Sequence, residues 1–376
     1  MPSWLFALPP LLAGIYLNWQ IRNYRRWQHA TFVRASSSPT DPPSIAVLVP
    51  FRDEARHLPA LLESLYRQDY AGFFEIILID DFSSDGGGAD HVPDGISLRT
   101  LRLEDFSEYL NPLAHKKSAL TLGVAYTDCE VIVTTDADCR WPASGLRRLG
   151  ETFAAGADVV LGPVMIDPVT DLCSGFQALD LASYQLFTQA TSFRGAPALA
   201  NGAHFAFRKN AFAAVGGYRG VDHLASGDDV LLLHKFIASG RQEIRYQGNP
   251  EAVVTTKPVD GWSALWQQRL RWAGKAGHYA NSELRLAQAL AYLTSLFIIV
   301  GLLLSAYDIR FLGAVLLAWA LKAGADYVLL RSICRYYARA ELLRWYPAAQ
   351  LLYPFYLVAV GSGALLGLQT EWKGRR

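Results

Sequence analysis

Val131-Ile132-Val133-Thr134-Thr135-Asp136-Ala137-Asp138 is an apolar run that closes on two carboxylates one residue apart. Strand side chains alternate with a period of two, so both acids fall on one side of the chain. Such a pair serves either as a polar turn or as a site for a hard divalent cation. Mg²⁺ keeps only one or two carboxylates and takes its other ligands from water and substrate phosphates, so the second reading points to a nucleotide diphosphate. Upstream, Ile45-Ala46-Val47-Leu48-Val49-Pro50 is a continuous apolar run suited to a buried parallel strand. Residues Leu58 to Arg67 have helical spacing, and Glu75-Ile76-Ile77-Leu78-Ile79-Asp80-Asp81 is a second buried strand ending in acids. Strand, helix, strand in succession predicts an α/β doubly wound sheet. Such sheets bind ligands beyond the carboxyl ends of their strands, where both acidic pairs fall. No Walker A sequence is present and no GxGxxG follows the first strand, which argues against a P-loop enzyme and a dinucleotide dehydrogenase. Gly86-Gly87-Gly88 reads most simply as a flexible loop.

Other clusters are spaced along the chain. His115-Lys116-Lys117-Ser118-Ala119-Leu120 opens a helix-like stretch, where a lysine is either a solvated helix end or a phosphate contact. Asn201-Gly202-Ala203-His204-Phe205-Ala206-Phe207-Arg208 precedes Val215-Gly216-Gly217-Tyr218. Ser226-Gly227-Asp228-Asp229-Val230 puts two acids ahead of an apolar helix, either as N-terminal dipole partners or as a general base. Gln268-Arg269-Leu270-Arg271-Trp272 lies before the C-terminal apolar region and reads as an interfacial anchor or as part of a site.

With 376 residues the chain has room for two domains, and its 51% hydrophobic content is high for a soluble protein. A net charge of +1 gives no case for nucleic-acid binding. The four cysteines show no CxxC or zinc-type spacing, so they read as reduced and structural. The apolar excess sits at the ends. Trp4 to Trp19 is apolar and is followed by Arg22, Arg25 and Arg26, the reverse of a cleaved signal peptide, which predicts an uncleaved anchor (1–21) with a cytoplasmic basic flank and a proline-rich linker (22–43). Leu286 to Ala306, Phe311 to Leu330 and Ala348 to Leu368 make a C-terminal membrane region of about three helices (286–370) before a basic tail (371–376). The loop of Arg331, Arg335, Arg339 and Arg344 and the tail both look cytoplasmic, so the last segment is re-entrant or interfacial, or the charge rule fails there. Lys322 and Asp326 share a helix face, as a lipid head-group contact or a structural ion pair.

Taken together and in this order, VPFRDEA (Val49 to Ala55), DDFSSD (Asp80 to Asp85), KKSAL, DAD, SGDD and QRLRW resemble a membrane-bound glycosyltransferase of family 2. The resemblance covers roughly Ile45 to Trp272 and implies a GT-A fold for 44–285. It further implies that Pro50, Asp80, Asp81, Lys117 (with Lys116 as an alternative), Asp136, Gln268 and Arg271 bind a nucleotide-sugar donor, most simply a UDP-sugar. Asp138 would be the direct ligand of Mg²⁺ or Mn²⁺, with Asp136 beside it. Asp229 would be the catalytic base, or Asp228, since this chain has aspartate where the family motif has glutamate. Trp272 would meet the acceptor. Trp372-Lys373-Gly374-Arg375 resembles a tail of bacterial membrane members. The implied activity is inverting sugar transfer to a lipid or lipid-linked acceptor, by a multi-pass protein of the cell inner membrane with its catalytic domain cytoplasmic. A processive polysaccharide synthase is the alternative, and a catalytically inactive envelope scaffold the alternative of another class.

Overall fold

The computed structural model describes residues 3–30, 41–87, 94–193 and 195–368. Most of the linker, Gly88 and the basic tail lie outside the described residues. In chain order the elements are α1 (Leu8–His29), β1 (Ile45–Phe51), α2 (Leu58–Tyr66), β2 (Phe74–Asp80), β3 (Ser97–Arg102), α3 (His115–Ala125), β4 (Val131–Thr134), β5 (Cys139–Arg140) and α4 (Gly145–Ala154). Next come β6 (Val159–Leu161), β7 (Val164–Ile166), α5 (Leu172–Ser192), β8 (Phe205–Arg208), α6 (Lys209–Ala214), α7 (Asp228–Ser239), β9 (Ile244–Tyr246), β10 (Val254–Thr256), α8 (Gly261–Ala273), α9 (Ser282–Ser305), α10 (Arg310–Tyr336) and α11 (Tyr346–Leu365). They form two compact units, one from the described residues of 31–167 and 192–257, the other from those of 1–30, 168–191 and 258–376. The span 44–285 is therefore shared between units, since 168–191 and 258–285 group with the terminal helices.

The first unit holds a sheet of order β3-β2-β1-β4-β8-β6-β9. Its β1, β2 and β4 are parallel neighbours, in register Ile45 with Phe74 and with Val131. All four residues of β4, and all of β1 except Pro50, are buried, which is why β1 is apolar throughout and β4 is apolar up to Thr134. The sheet is mixed, because β8 runs antiparallel to β4 and β6. Its core joins Leu48, Ile77, Ile79 and Ile132 with Leu120 and Leu122 of α3 and with Phe205, Phe207 and Phe236. A smaller sheet, β5-β10-β7, begins directly after Asp138.

The second unit is helical. α1 packs on α9 and α10 through Ala13 and Tyr16, against Ile298, Val315, Ala318, Leu290 and Ala325. Three helical segments, Ser282–Ser305, Arg310–Tyr336 and Ala340–Leu365, are long and apolar enough to cross a membrane. The expected N-terminal span is not among them. α1 continues past Trp19 to His29, and Gln20 and Asn23, which interrupt the apolar pattern, are buried. Along α9, Leu286, Leu293, Val300 and Leu303 are exposed, an apolar stripe at helical spacing. Within this unit Lys322 Nζ lies 2.6 Å from Asp326 Oδ2, while Tyr16 Oη (2.6 Å), Gln20 and Gln350 (both 3.2 Å) donate to the same carboxylate.

Candidate active site

Three strands deliver the site in the α/β unit. β1, β2 and β4 lie side by side and parallel, so the residues leaving their carboxyl ends emerge on one edge. Asp81, one residue past β2, donates its N–H to Phe51 O across that edge at 2.8 Å. Asp80 Oδ1 accepts from Ser83 N (2.8 Å) and closes the turn after β2. The turn is fastened to the loop after β1, where Ser84 N donates to Asp53 Oδ1 (2.7 Å) and Ala55 N to Asp85 Oδ2 (2.7 Å). Pro50 stands opposite Ile79 near this end of β1.

Asp81 is buried, and its Oδ1 lies 2.7 Å from His115 Nδ1 at the start of α3. Burial raises the Asp81 carboxyl above its ordinary range, and the contact with His115 pulls it back. The next two residues of α3 diverge. Lys116 Nζ lies 2.7 Å from Asp136 Oδ1 and 3.3 Å from Asp228 Oδ2. Lys117 is buried, and its ammonium donates to the carbonyls of Val221 (2.8 Å), Leu224 (2.5 Å) and Ser226 (3.0 Å). An ammonium has three protons, so Lys117 is saturated by backbone. The structure thus puts Lys116 among the carboxylates and gives Lys117, the expected donor contact, the task of holding the loop that leads to Asp228.

That loop ends at Gly227, whose φ of +80° suits glycine, and α7 begins at Asp228. Both acids lie in the first turn of α7, where the helix dipole favours negative charge. Asp228 is buried against Lys116. Asp229 accepts from Gly202 N (3.0 Å, Oδ2) and from Val230 N (2.7 Å, Oδ1). Gly202 is tied to β4 by Thr134 Oγ1, which donates to its carbonyl at 2.8 Å. A Cβ on Gly202 would stand 3.3 Å from Asp228 Oδ2 and 3.4 Å from Lys116 Nζ, so the glycine lets backbone enter the cluster. Lys116, Asp136, Asp228, Asp229 and Gly202 are thereby drawn together from four segments.

Asp138 lies in the turn between β4 and β5. Its Oδ2 accepts from Thr256 Oγ1 of β10 at 3.2 Å. Burial, with the negative charges of Asp136 and Glu54 beside it, pushes its carboxyl up to about 6. Among the described residues no group of three or more His, Cys, Asp or Glu forms a metal cage. The donor set nevertheless fits a hard divalent cation that draws its remaining ligands from a substrate. Two hard oxygen side chains are present, and a positive charge would relieve the repulsion felt by Asp138.

Gln268, Arg271 and Trp272 lie on α8, in the helical unit. The motif reading missed Arg269, which touches two of them, Gln268 and Trp272. Arg269 is buried, its Nε 2.9 Å from Asp180 Oδ2 of α5 and its guanidinium 4.2 Å from the Trp272 ring centre. The only signal in the sequence was an arginine inside the motif; its partner lies 89 positions away.

Residues 46–212 match the family Glycosyl transferase family 2, and residues 131–360 match Glycosyl transferase family group 2. The probable glycosyltransferase YdaM of Bacillus subtilis (strain 168) is 27% identical over 239 residues, 61% of this chain and 54% of that protein. An undecaprenyl-phosphate 4-deoxy-4-formamido-L-arabinose transferase of Aeromonas hydrophila is 30% identical over 123 residues, 32% of this chain and 37% of that protein. The chain thus spans about half or less of the length of these curated relatives. Among solved structures, the mannosyltransferase PcManGT from Pyrobaculum calidifontis, in complex with GDP-Man and Mn²⁺, has the same fold, with a TM-score of 0.63, 21% identity and coverage of 97% of this chain and 100% of that one.

Proposed function

The chain belongs to glycosyltransferase family 2, and from that premise we propose that it transfers a sugar, with inversion, from a nucleotide-diphospho-sugar to a lipid or lipid-linked acceptor. The main support is the convergence of Lys116 on Asp136 and Asp228, with Asp229 held beside them by the Gly202 amide. In this reading Asp80 and Asp81 contact the base and ribose of the donor. Asp136 and Asp138 would hold Mg²⁺ or Mn²⁺, which when bound neutralises the donor's diphosphate. Lys116 supplies a further positive charge where the leaving phosphate becomes more negative. Asp229 takes the proton of the acceptor hydroxyl as that oxygen bonds to the anomeric carbon and the bond from that carbon to the phosphate oxygen breaks. Asp228 holds Lys116 in place. By the family resemblance Gln268 and Arg271 would serve as donor contacts, and Trp272 would offer its aromatic face to the acceptor.

The lipid acceptor is supported by the three helices suited to a membrane and by the Aeromonas relative, whose name carries undecaprenyl phosphate. A UDP-sugar is the first donor we propose. GDP-mannose, the ligand of the archaeal structure, is the second. The site faces the cytoplasm of a multi-pass inner-membrane protein in this reading. The test is a donor panel on the detergent-solubilised protein with Mg²⁺ or Mn²⁺ and a total lipid extract, read by nucleoside diphosphate release and product mass. One lipid gaining one sugar is expected. A ladder of masses would instead indicate a processive synthase, and no release from any donor a scaffold.

A further inference from the structure

α8 carries its arginine pair at 269 and 271, and only the second belongs to the QxxRW pattern. The first is nonetheless the more deeply placed, with its side chain 3% exposed and that of its partner Asp180 1% exposed. Several contacts converge on it within the helical unit. Nε meets Asp180 Oδ2 at 2.9 Å, Nη1 meets Gln268 Oε1 at 2.6 Å, and the guanidinium lies 4.2 Å from the centre of the Trp272 ring. Asp180 also accepts from Tyr353 Oη at 3.4 Å, so the acid is anchored from α11 as well. Residues 269 and 272 are three apart and share a helix face, whereas 268 does not face 269. Gln268 is therefore turned toward Arg269 by the hydrogen bond.

A buried ion pair is weak evidence for stability, since desolvation offsets most of the attraction. What a guanidinium does supply is a rigid planar fork with fixed donor directions and a flat face that stacks on aromatic rings. It has donors only. Arg269 must therefore hold the oxygen of the Gln268 amide, and that leaves the two N–H groups of Gln268 directed elsewhere. We propose that Arg269, oriented by Asp180, is a positioning residue: it fixes Gln268 with its amide protons turned toward an anionic ligand, and it clamps the Trp272 ring. This rests on the reading of Gln268 and Trp272 as ligand contacts given above.

A mutant cycle tests it on the full-length protein in detergent. Arg269→Lys keeps the charge beside Asp180 and removes the fork. It should melt with the wild type yet lower kcat about 100-fold, the scale of a catalytic contact misplaced by an ångström. In a Gln268→Ala/Trp272→Phe background the same change should cost little, because the groups it acts through are gone. Equal losses in both backgrounds would overturn the proposal. If Arg269→Lys does not fold, Arg269→Gln with Asp180→Asn removes both charges together, so that neither is left buried alone, and enters the same cycle. Trp272 emission, taken as the difference from Trp272→Phe, gives a readout that needs no substrate. It should shift in the Arg269 variant, and an unchanged signal also overturns the clamp. A wild type that releases no nucleoside diphosphate while this emission shift is present would overturn the transfer reading, and the catalytic half of the proposal with it, but not the clamp.

Discussion

The ammonium of Lys116 lies 2.7 Å from the carboxylate of Asp136, although one opens α3 and the other follows β4. Its immediate neighbour Lys117 points into a different environment, with three backbone carbonyls around its nitrogen. The two lysines should therefore fail differently. Lys116→Met removes a cation from the proposed diphosphate site and should lower the turnover of the folded protein about 100-fold or more, as loss of a single charge-stabilising donor does elsewhere, even though leaving the buried Asp228 without it also lowers the melting temperature. Lys117→Met strands buried carbonyls at about 1–3 kcal/mol each and should show first as a lower melting temperature. Steady-state kinetics and thermal melts on the two variants separate these outcomes; matching losses of activity in both would place Lys117 in the site as well.

Asp138 is the less compensated of the two acids after β4. Its nearest hydrogen-bond donor is a neutral hydroxyl, that of Thr256, while Asp136 has Lys116. Asp138→Asn should therefore abolish cation-dependent donor binding. Titration calorimetry with a nucleotide-sugar, with and without Mn²⁺, measures this directly. Wild-type affinity in the variant would remove Asp138 from the cation site.

Asp229 and Asp228 are held in different ways. The buried Asp228 is committed to Lys116, and Asp229 is oriented by two backbone amides. Asp229→Asn should lower turnover by about 10²–10⁴-fold, the usual worth of general-base assistance, and leave donor affinity unchanged. Near-wild-type turnover would shift the base to Asp228.

Much of the fold was legible because the strands that lead to the site are buried on both faces. That forces unbroken apolar runs, and an acid ending such a run marks the edge of the sheet. Lys116 and Lys117 could not be ranked in this way. Adjacent helix positions point about 100° apart, and only the packed loop Val221 to Ser226 decides which one meets the acids. The partnership of Arg269 with Asp180 was illegible for another reason. α5 is buried nearly all round, so Asp180 carries no periodic signal. The basic flank of Arg22, Arg25 and Arg26 marks the end of the expected anchor at residue 21, whereas α1 runs through it to His29 with Gln20 and Asn23 buried. β8 was quoted as a motif, yet its antiparallel direction follows from long-range pairing with β4 and β6 alone.

His204 gives the α/β unit an acid limit. It is fully buried, its ring tilted 60° against that of Trp141 at 4.7 Å between ring centres, and a Cβ on Gly162 would overlap its ring. Burial lowers its pKa to about 4, although the Pro163 carbonyl raises it somewhat. The unfolded chain protonates near 6.5, so between about 4 and 6.5 it binds more protons than the folded state, and stability must fall as pH falls through that window. The full effect is about 3 kcal/mol, the shift converted at 1.36 kcal/mol per unit. Denaturant melts from pH 7 to pH 4 should show this slope in the wild type and a shallower one in His204→Gln. Parallel slopes would mean that another group sets the acid limit.

Lys322 and Asp326 lie within a helix long and apolar enough to span a membrane, and Lys322 is wholly buried. Tyr16 and Gln20 reach the carboxylate from α1, and Gln350 reaches it from α11. One acid thus gathers three helices, which favours a structural ion pair over a head-group contact. Removing one partner leaves a buried charge, at about 3–5 kcal/mol, whereas replacing both with apolar residues of similar volume is often neutral. Asp326→Leu should therefore lose folded protein in detergent, and Lys322→Met added to it should restore much of the loss. The restored protein would still lack the acceptor that fixes α1, so it should melt below the wild type and release α1 to proteolysis first. If the pair instead touched a lipid head group, the double variant would fold like the single one's parent and fail only in lipid binding. Monodispersity on size exclusion, read beside limited proteolysis of the N-terminal helix, distinguishes the two.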